Sequence, residues 1–454
     1  MKFLKYLLLA VFLTSGVLAY ADSTDSLIDS LVSKGVLTND EAKQIKATPS
    51  SVPAWINNLT FSGDFRNRLQ DDLSYDSTNK NSNGTFIGYN HRDRDRIRLR
   101  FGVETKVVDN VKVGFGLATL GAADTSAGNV AGNSANNYAS ASPRSRNWTL
   151  GYGFANPLVG IDYAYAEYAP SSLVAIDFGK MKSNPVWNTS DMLWDPDLTY
   201  DGVAVKLKKD FTDDVTATLN GGLFIFDEDK ISASTTSASN DGINGVNNGI
   251  GSKAEYKYPS MYFVQPTVAF TVSENIMVKA GVAYYYTMNI ASNPVLNAAG
   301  NNSPSKTTNT TAHGAYAYSY NDLNPSVEIM FSNVLDALPM IDLSADQARN
   351  PDPTKYNNSY SATVKIGDKA VNGFGKWQLA YIHKYLEKDA WLDAFTDDDT
   401  YSGKTNVVGA KEQLQFGLTK SMYFVLSYYK YDVITGKTSR TATELTQADI
   451  NVKF

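Results

Sequence analysis

Arg92, Arg94, Arg96, Arg98 and Arg100 recur at every second position, and Arg66 with Arg68 repeats the spacing upstream. In an extended chain this interval puts all the guanidinium groups on one face, so two adjacent strands would raise a basic wall. Such a wall offers a fixed field through which ions and polar solutes move rather than a reaction. Opposing charge is available in Asp191, Asp195 and Asp197, within the segment Trp187-Asn188-Thr189-Ser190-Asp191-Met192-Leu193-Trp194-Asp195-Pro196-Asp197-Leu198. Facing Arg66, Arg68, Arg96, Arg98 and Arg100, these aspartates would make solutes pass between opposite charges; the plainer reading is a solvated loop with turn aspartates. Arg92 and Arg94 alternate with Asp93 and Asp95, and surface pairing competes with a place on the wall.

Catalysis has little to build on. The chain has no cysteine and three histidines in 454 residues, which removes thiolate zinc sites, iron–sulfur clusters and cysteine nucleophiles. His91 and His313 fall in loops and His383 near a strand end, none in a motif that would orient a base beside a nucleophile. The acidic runs Asp227-Glu228-Asp229 and Asp397-Asp398-Asp399 offer oxygen ligands of the kind Ca²⁺ takes, but such runs are ordinarily solvated loop tips. No metal and no cofactor is assigned.

The elements that position the arginines are strands. Phe61, Phe65 and Leu69 alternate with Asp64, Arg66 and Arg68, and Ile97, Leu99, Phe101 and Val103 with Arg96, Arg98, Arg100 and Glu104. The same period of two returns around Val203, Val278, Val364, Leu379 and Phe416. Alternation alone does not say which face is wet. The connections decide: tight turns such as Asp109-Asn110 and Ser273-Glu274 take turns with long polar stretches at 71–90, 122–158, 227–257, 288–316 and 387–408. Short and long loops in regular succession mark an outer-membrane barrel, whereas many long loops are uncommon in a compact sandwich. Division at these connections predicts an all-β transmembrane barrel of 16 antiparallel strands, wide enough for a water-filled lumen. Tyr284 to Tyr286, Tyr423, Phe424, Tyr428, Tyr429 and Tyr431, near strand ends, are expected in an aromatic girdle. Glu167 is awkward, since it shares the parity of Ile161 and Tyr163.

Ahead of the barrel, residues 1–21 combine a basic start at Lys2 and Lys5, an apolar run and Ala19-Tyr20-Ala21, the pattern of an export signal cleaved near Ala21. Cleavage leaves 39 basic against 47 acidic residues, a net charge near −8, which argues against nucleic acid as a partner. Residues 22–58 show helical spacing and a Thr38-x-x-Glu41 capping box, and predict a short helical or coiled-coil periplasmic leader. The barrel then occupies 59–454.

With its exported start, the Arg-rich strand from His91 to Phe101, the Trp187–Leu198 segment before Tyr200-Asp201-Gly202-Val203-Ala204-Val205, and the terminal Asp449-Ile450-Asn451-Val452-Lys453-Phe454, the chain resembles the bacterial outer-membrane proteins grouped as putative porins. The resemblance implies a channel in the lipid of a Gram-negative outer membrane, passing small hydrophilic solutes and ions by passive diffusion. It implies a homotrimer, a constriction loop at about 184–198 folded into the barrel, and a terminal aromatic, Phe454, read by the barrel assembly machinery. A substrate-selective channel and a non-conducting adhesin or structural barrel remain open alternatives. The dense lysine-rich loops of phosphate-selective channels are absent.

Overall fold

The structure is a computed structural model and describes residues 53–75, 89–120, 142–151, 153–154, 156–226, 258–291, 307–312, 315–437 and 441–454, with isolated positions before 53. The export signal, most of the 22–58 leader, His313 and the acidic run 227–229 lie outside the described residues.

Sixteen long strands follow one another: β1 (Thr60–Tyr75), β2 (Tyr89–Val108), β3 (Val111–Thr119), β4 (Val159–Ser171), β5 (Val174–Met181), β6 (Tyr200–Thr212), β7 (Val215–Ile225) and β8 (Ser260–Ser273). The series continues with β9 (Ile276–Met288), β10 (Leu323–Leu335), β11 (Leu338–Arg349), β12 (Asn358–Gly367), β13 (Trp377–Leu386), β14 (Val407–Gly417), β15 (Met422–Val433) and β16 (Thr443–Lys453). Sequential strands pair antiparallel, and β16 returns to β1 in a register running from Asp64↔Lys453 to Ser74↔Thr443. Closure leaves no free edge, a requirement where no water is present to satisfy backbone groups. Past β16, the Gly63 and Phe454 backbones exchange hydrogen bonds of 2.8 and 3.1 Å. A Cβ at Gly63 would sit 2.5 Å from the Phe454 ring and 2.6 Å from the Arg100 carbonyl oxygen, and since that backbone atom cannot swing aside the seam needs glycine here. A separate small unit, Met1–Thr60 with Thr105–Val108, contains the 3₁₀ turn Ala54–Asn58, and Thr105 donates to the Trp55 carbonyl at 2.7 Å.

The burial pattern is inverted relative to a water-soluble sheet. Leu69 is 59% exposed while its neighbour Arg68 is 5% exposed, and Val364 and Leu379 face out where Thr363 and Ala380 face in. Apolar parity therefore points outward around the barrel. Among the described residues no helix is long and apolar enough to cross a membrane; the crossing elements are the strands. A lipid-facing charge near mid-membrane costs about 2–4 kcal/mol, so Val278→Arg is expected to lower barrel stability by that amount in denaturant titrations. In this cysteine-free chain a cysteine at 365, whose native lysine faces the water-filled side, should react with a hydrophilic thiol reagent much faster than one at 278. Equal rates would overturn the inside-out assignment.

Two expectations need correction. Tyr284 and Tyr286 face outward, but Tyr285, Tyr429 and Tyr431 take the inward parity and are 0%, 4% and 1% exposed, and Tyr423, on the same parity as Tyr429, lines the internal cavity. At Glu167 the difficulty dissolves in a bulge: Gly116 pairs with Tyr163 and Leu117 with Ile161, leaving Asp162 as the extra residue. The bulge switches parity within β4. Ile161 faces out, Tyr163 turns in, and Glu167 lies inside, bridged to Lys112 and Lys206 at 3.3 Å each.

Candidate functional site: the lumen between β1, β2 and two inserted loops

On β1 and β2, Arg66, Arg68, Arg96 and Arg98 are buried and share one face with Arg100. Strand geometry alone would stack like charges, and the barrel relieves this with carboxylates on the same wall. Asp449 is the direct β16 neighbour of Arg68, and two of its oxygens accept from Arg68 at 2.8 and 2.9 Å. On β1, Asp64 accepts from Arg98 at 2.9 Å and from Arg100 at 2.7 Å. Arg96 donates to Gln70 at 3.0 Å, and Arg66 donates to Asn147 at 2.5 Å while standing 3.9 Å from Asp449.

Two connections at the long-loop end fold inward against this wall. The first joins β5 to β6 across 182–199 and carries the Trp187–Leu198 segment. Its side chains meet inward-facing residues: the Trp187 backbone exchanges hydrogen bonds of 2.7 and 2.8 Å with Gln265, the Lys279 ammonium lies 4.1 Å over the Trp187 ring, and Thr189 donates to Asp346 at 2.9 Å. Trp194 is the anchor. It is 4% exposed, packs at 5.2–5.9 Å against Tyr200, Phe224, Tyr285, Trp391 and Phe395, and donates from Nε1 to the Tyr285 hydroxyl at 3.1 Å.

Trp391 and Phe395 belong to the second inserted connection, 387–406 between β13 and β14, whose composition is that of a long polar loop. Trp391 and Leu392 are wholly buried. Arg144, from a segment that also lies inside, donates from one nitrogen to the carbonyls of Asp393, Thr396 and Gly403 at 2.8–3.1 Å. Asp397-Asp398-Asp399 is thus not a solvated tip. Asp399 sits 3.1 Å from Arg68 and Asp397 3.5 Å from Lys384.

The three aspartates of the first loop have three different places. Asp197 reaches the wall, its Oδ1 3.2 Å from Arg98 and 3.5 Å from Arg100. Burial acts to raise its pKa, and the guanidiniums of Arg98, Arg66 and Arg100 outweigh it, holding the carboxyl below its ordinary range. Asp195 faces the other loop, accepting the backbone N–H of Asp398 and of Asp197, both at 2.7 Å. Burial, then the like charges of Asp397 and Asp197, push its carboxyl well above the usual range. Asp191 lies away from the arginines, in contact with Lys384 and 3.5 Å from Lys411. Asp197 is therefore the one of the three that touches the basic wall, while Asp195 knots the loops together and Asp191 neutralises two buried lysines.

Between wall and loops is a cavity of about 290 Å³ lined by six cationic and six acidic side chains. Its acids come mainly from Asp397–Asp399, which the sequence marks only as an acidic run, and from Asp449, marked only by inward parity. Lys384, Lys411 and Asp64 were likewise legible only as inward-parity charges on their strands.

A closed, 16-stranded, inside-out barrel with a charged interior into which two loops fold defines a channel-forming protein of the outer membrane. The chain belongs to the putative porin family, whose profile matches residues 85–325 and 340–454. It is an outer-membrane porin, a water-filled passage for passive diffusion of small hydrophilic solutes and ions, and family and fold are those of a channel rather than an enzyme. The barrel is similar to OprB of Pseudomonas putida, with 11% identity and a TM-score of 0.50 over 88% of this chain and 95% of that one; at this identity the likeness is one of fold. It is also similar to DcaP, an outer membrane channel of Acinetobacter baumannii (14% identity, TM-score 0.43, 87% and 97% covered), and to OmpF of Salmonella typhi in complex with daunomycin (10%, 0.45, 87% and 98%). No curated relative matches.

Proposed function

We propose that the narrow zone of this porin lies between the arginine wall and the loops 184–198 and 387–406, and that it imposes a transverse field with weak net preference for cations. The carrying observation is the cavity whose positive side is Arg66, Arg68, Arg98 and Arg100 and whose negative side is Asp197 and Asp397–Asp399. Arg96 extends the positive side by one same-face position along β2. Equal numbers of opposite charges nearly cancel in net selectivity but not in local field, and the acidic excess of the mature chain tips the balance to cations. In planar bilayers the purified protein should give stepwise conductance, with a reversal potential across a tenfold KCl gradient displaced modestly to the cation side. A silent protein would favour a non-conducting adhesin or structural barrel, and anion preference would overturn the charge assignment.

The remaining features complete the reading. Residues 1–21 are an export signal cleaved near Ala21, and 22–58 form a periplasmic helical leader, supported by helical backbone at Val32, Ser33, Asn39, Asp40 and Lys43. The porin assembles as a homotrimer in outer-membrane lipid, with Phe454 as the residue read by the barrel assembly machinery. Its backbone pairing with Gly63 gives it a second role at the seam. Deleting Phe454 should sharply reduce the heat-modifiable folded band in outer membranes, and normal assembly of that truncation would remove the residue from this role.

A further inference from the structure

Outside the lumen, the long-loop end of the first hairpin gathers three side chains that the channel does not use. Asp71 on β1 and His91 with Asp93 on β2 take the outward parity, the parity of Leu69, Ile97 and Leu99. His91 Nε2 is 2.7 Å from Asp71 Oδ1 and 3.9 Å from Asp93 Oδ1, and one donor atom from each residue falls within 4.8 Å of the others. The short contact is not a hydrogen bond in its geometry. All three side chains stand at the surface, about half exposed or more, and an oxygen and a ring nitrogen converge there: with a neutral imidazole both present lone pairs to the same point, and with a protonated one they form an ion pair.

The geometry points to a divalent transition-metal site formed by Asp71, His91 and Asp93. Zinc bonds of about 2.0–2.2 Å to nitrogen and oxygen put neighbouring donor atoms roughly 3 Å apart, and the observed separations of 2.7 and 3.9 Å bracket that value. Small side-chain rotations would equalise them. Two carboxylates and a neutral imidazole carry the charge that cancels a divalent ion, with water filling the remaining positions. Asp95, next on the same face, is held by Asn67 at 2.9 Å and adds negative potential without joining the donor set. Because one donor is imidazole, the site favours Zn²⁺, Cu²⁺ or Ni²⁺ over the oxygen-seeking Mg²⁺. Paired strands hold the ligands in place before the ion arrives, so little ordering entropy opposes binding.

The test is calorimetric titration of Zn²⁺ into the tag-free mature protein folded in detergent. One saturable ion per chain is expected, not displaced by excess Mg²⁺. His91→Ala and Asp93→Asn should each weaken it about tenfold or more, while His383→Ala, on β13, leaves it unchanged. Heat-modifiable mobility confirms that each variant is folded; with two independent ligand variants at an exposed rim, at least one informative protein is secured. The proposal is overturned if no stoichiometric Zn²⁺ binding occurs, if a folded His91→Ala or Asp93→Asn variant binds as the parent does, or if Mg²⁺ competes at comparable concentration.

Discussion

Trp194→Ala is expected to lower the stability of the folded barrel by about 3–5 kcal/mol and to raise both the conductance and the current noise of the open channel. Trp194 fills the junction where the loop 182–199 meets the inner wall through Tyr200, Phe224 and Tyr285 and meets the loop 387–406 through Trp391 and Phe395. Truncation leaves a cavity among rings that cannot collapse onto one another, since three sit on rigid strands. It also removes the donor to the Tyr285 hydroxyl. Both loops then lose their shared apolar anchor, leaving polar links such as the Asp195 backbone N–H to the Phe395 carbonyl at 2.7 Å. Thermal unfolding monitored by heat modifiability and single-channel recording measure the two effects separately. A variant with lowered stability but parental conductance would mean that the loops pack inside the barrel without narrowing it.

Neutralising the two sides of the lumen should move ion preference in opposite directions. In the double variant Arg98→Gln/Arg100→Gln, Asp64 and Asp197 lose the guanidiniums they share, and two carboxylates are left facing the cavity; cation preference should rise several-fold in permeability ratio. In Asp197→Asn, Arg98 and Arg100 keep only Asp64 between them, so the preference should shift towards anions. Asp191→Asn is not equivalent: it removes the carboxylate that Lys384 and Lys411 share, leaving Lys384 with Asp397 alone, and acts mainly on stability, where loss of one member of a buried pair costs about 3–5 kcal/mol. The selectivity shifts should be large at 0.01 M salt, where the Debye length is roughly 30 Å, and should shrink at 1 M, where it is about 3 Å. Reversal potentials across a salt gradient read the sign directly. Shifts of the same sign in both variants, or none in either, would place Arg98, Arg100 and Asp197 off the conducting path.

Much of the architecture was legible in the chain because a transmembrane barrel is written in local terms. Period-two alternation fixes which side chains share a face, and the alternation of short turns with long loops fixes the strand count and tells a lipid-facing sheet from a water-facing one. The arginine wall follows from that parity alone, and so does the outward place of Val278, Val364 and Phe416. Parity failed where local spacing is interrupted, as at Asp162, because a bulge is a property of the pairing between β3 and β4 and leaves no trace in one strand's pattern. At Tyr429 and Tyr431 the alternation itself points inward, and it prevails over the closeness to a strand end that suggests a girdle.

What only the tertiary structure decided is how the charges find one another. Arg68 and Asp449 are separated by almost the whole barrel in sequence, yet they face each other because closure makes β1 and β16 neighbours. Asp197 and Asp399 come to the same wall from loops more than two hundred positions apart, held by Trp194, Trp391 and the Arg144 staple. Composition gave Asp397-Asp398-Asp399 the look of a solvated tip, because a polar loop outside a barrel and one folded into its wet interior have the same residues: both environments satisfy polar groups, one with water and the other with arginine. Sequence by itself settled which side is wet along most strands, with the bulged β4 and the inward tyrosines of β9 and β15 as the exceptions. The chain's long-range closure and the packing of the inserted loops settled which wet charges are paired, which are knotted into the structure, and which line the cavity between wall and loops.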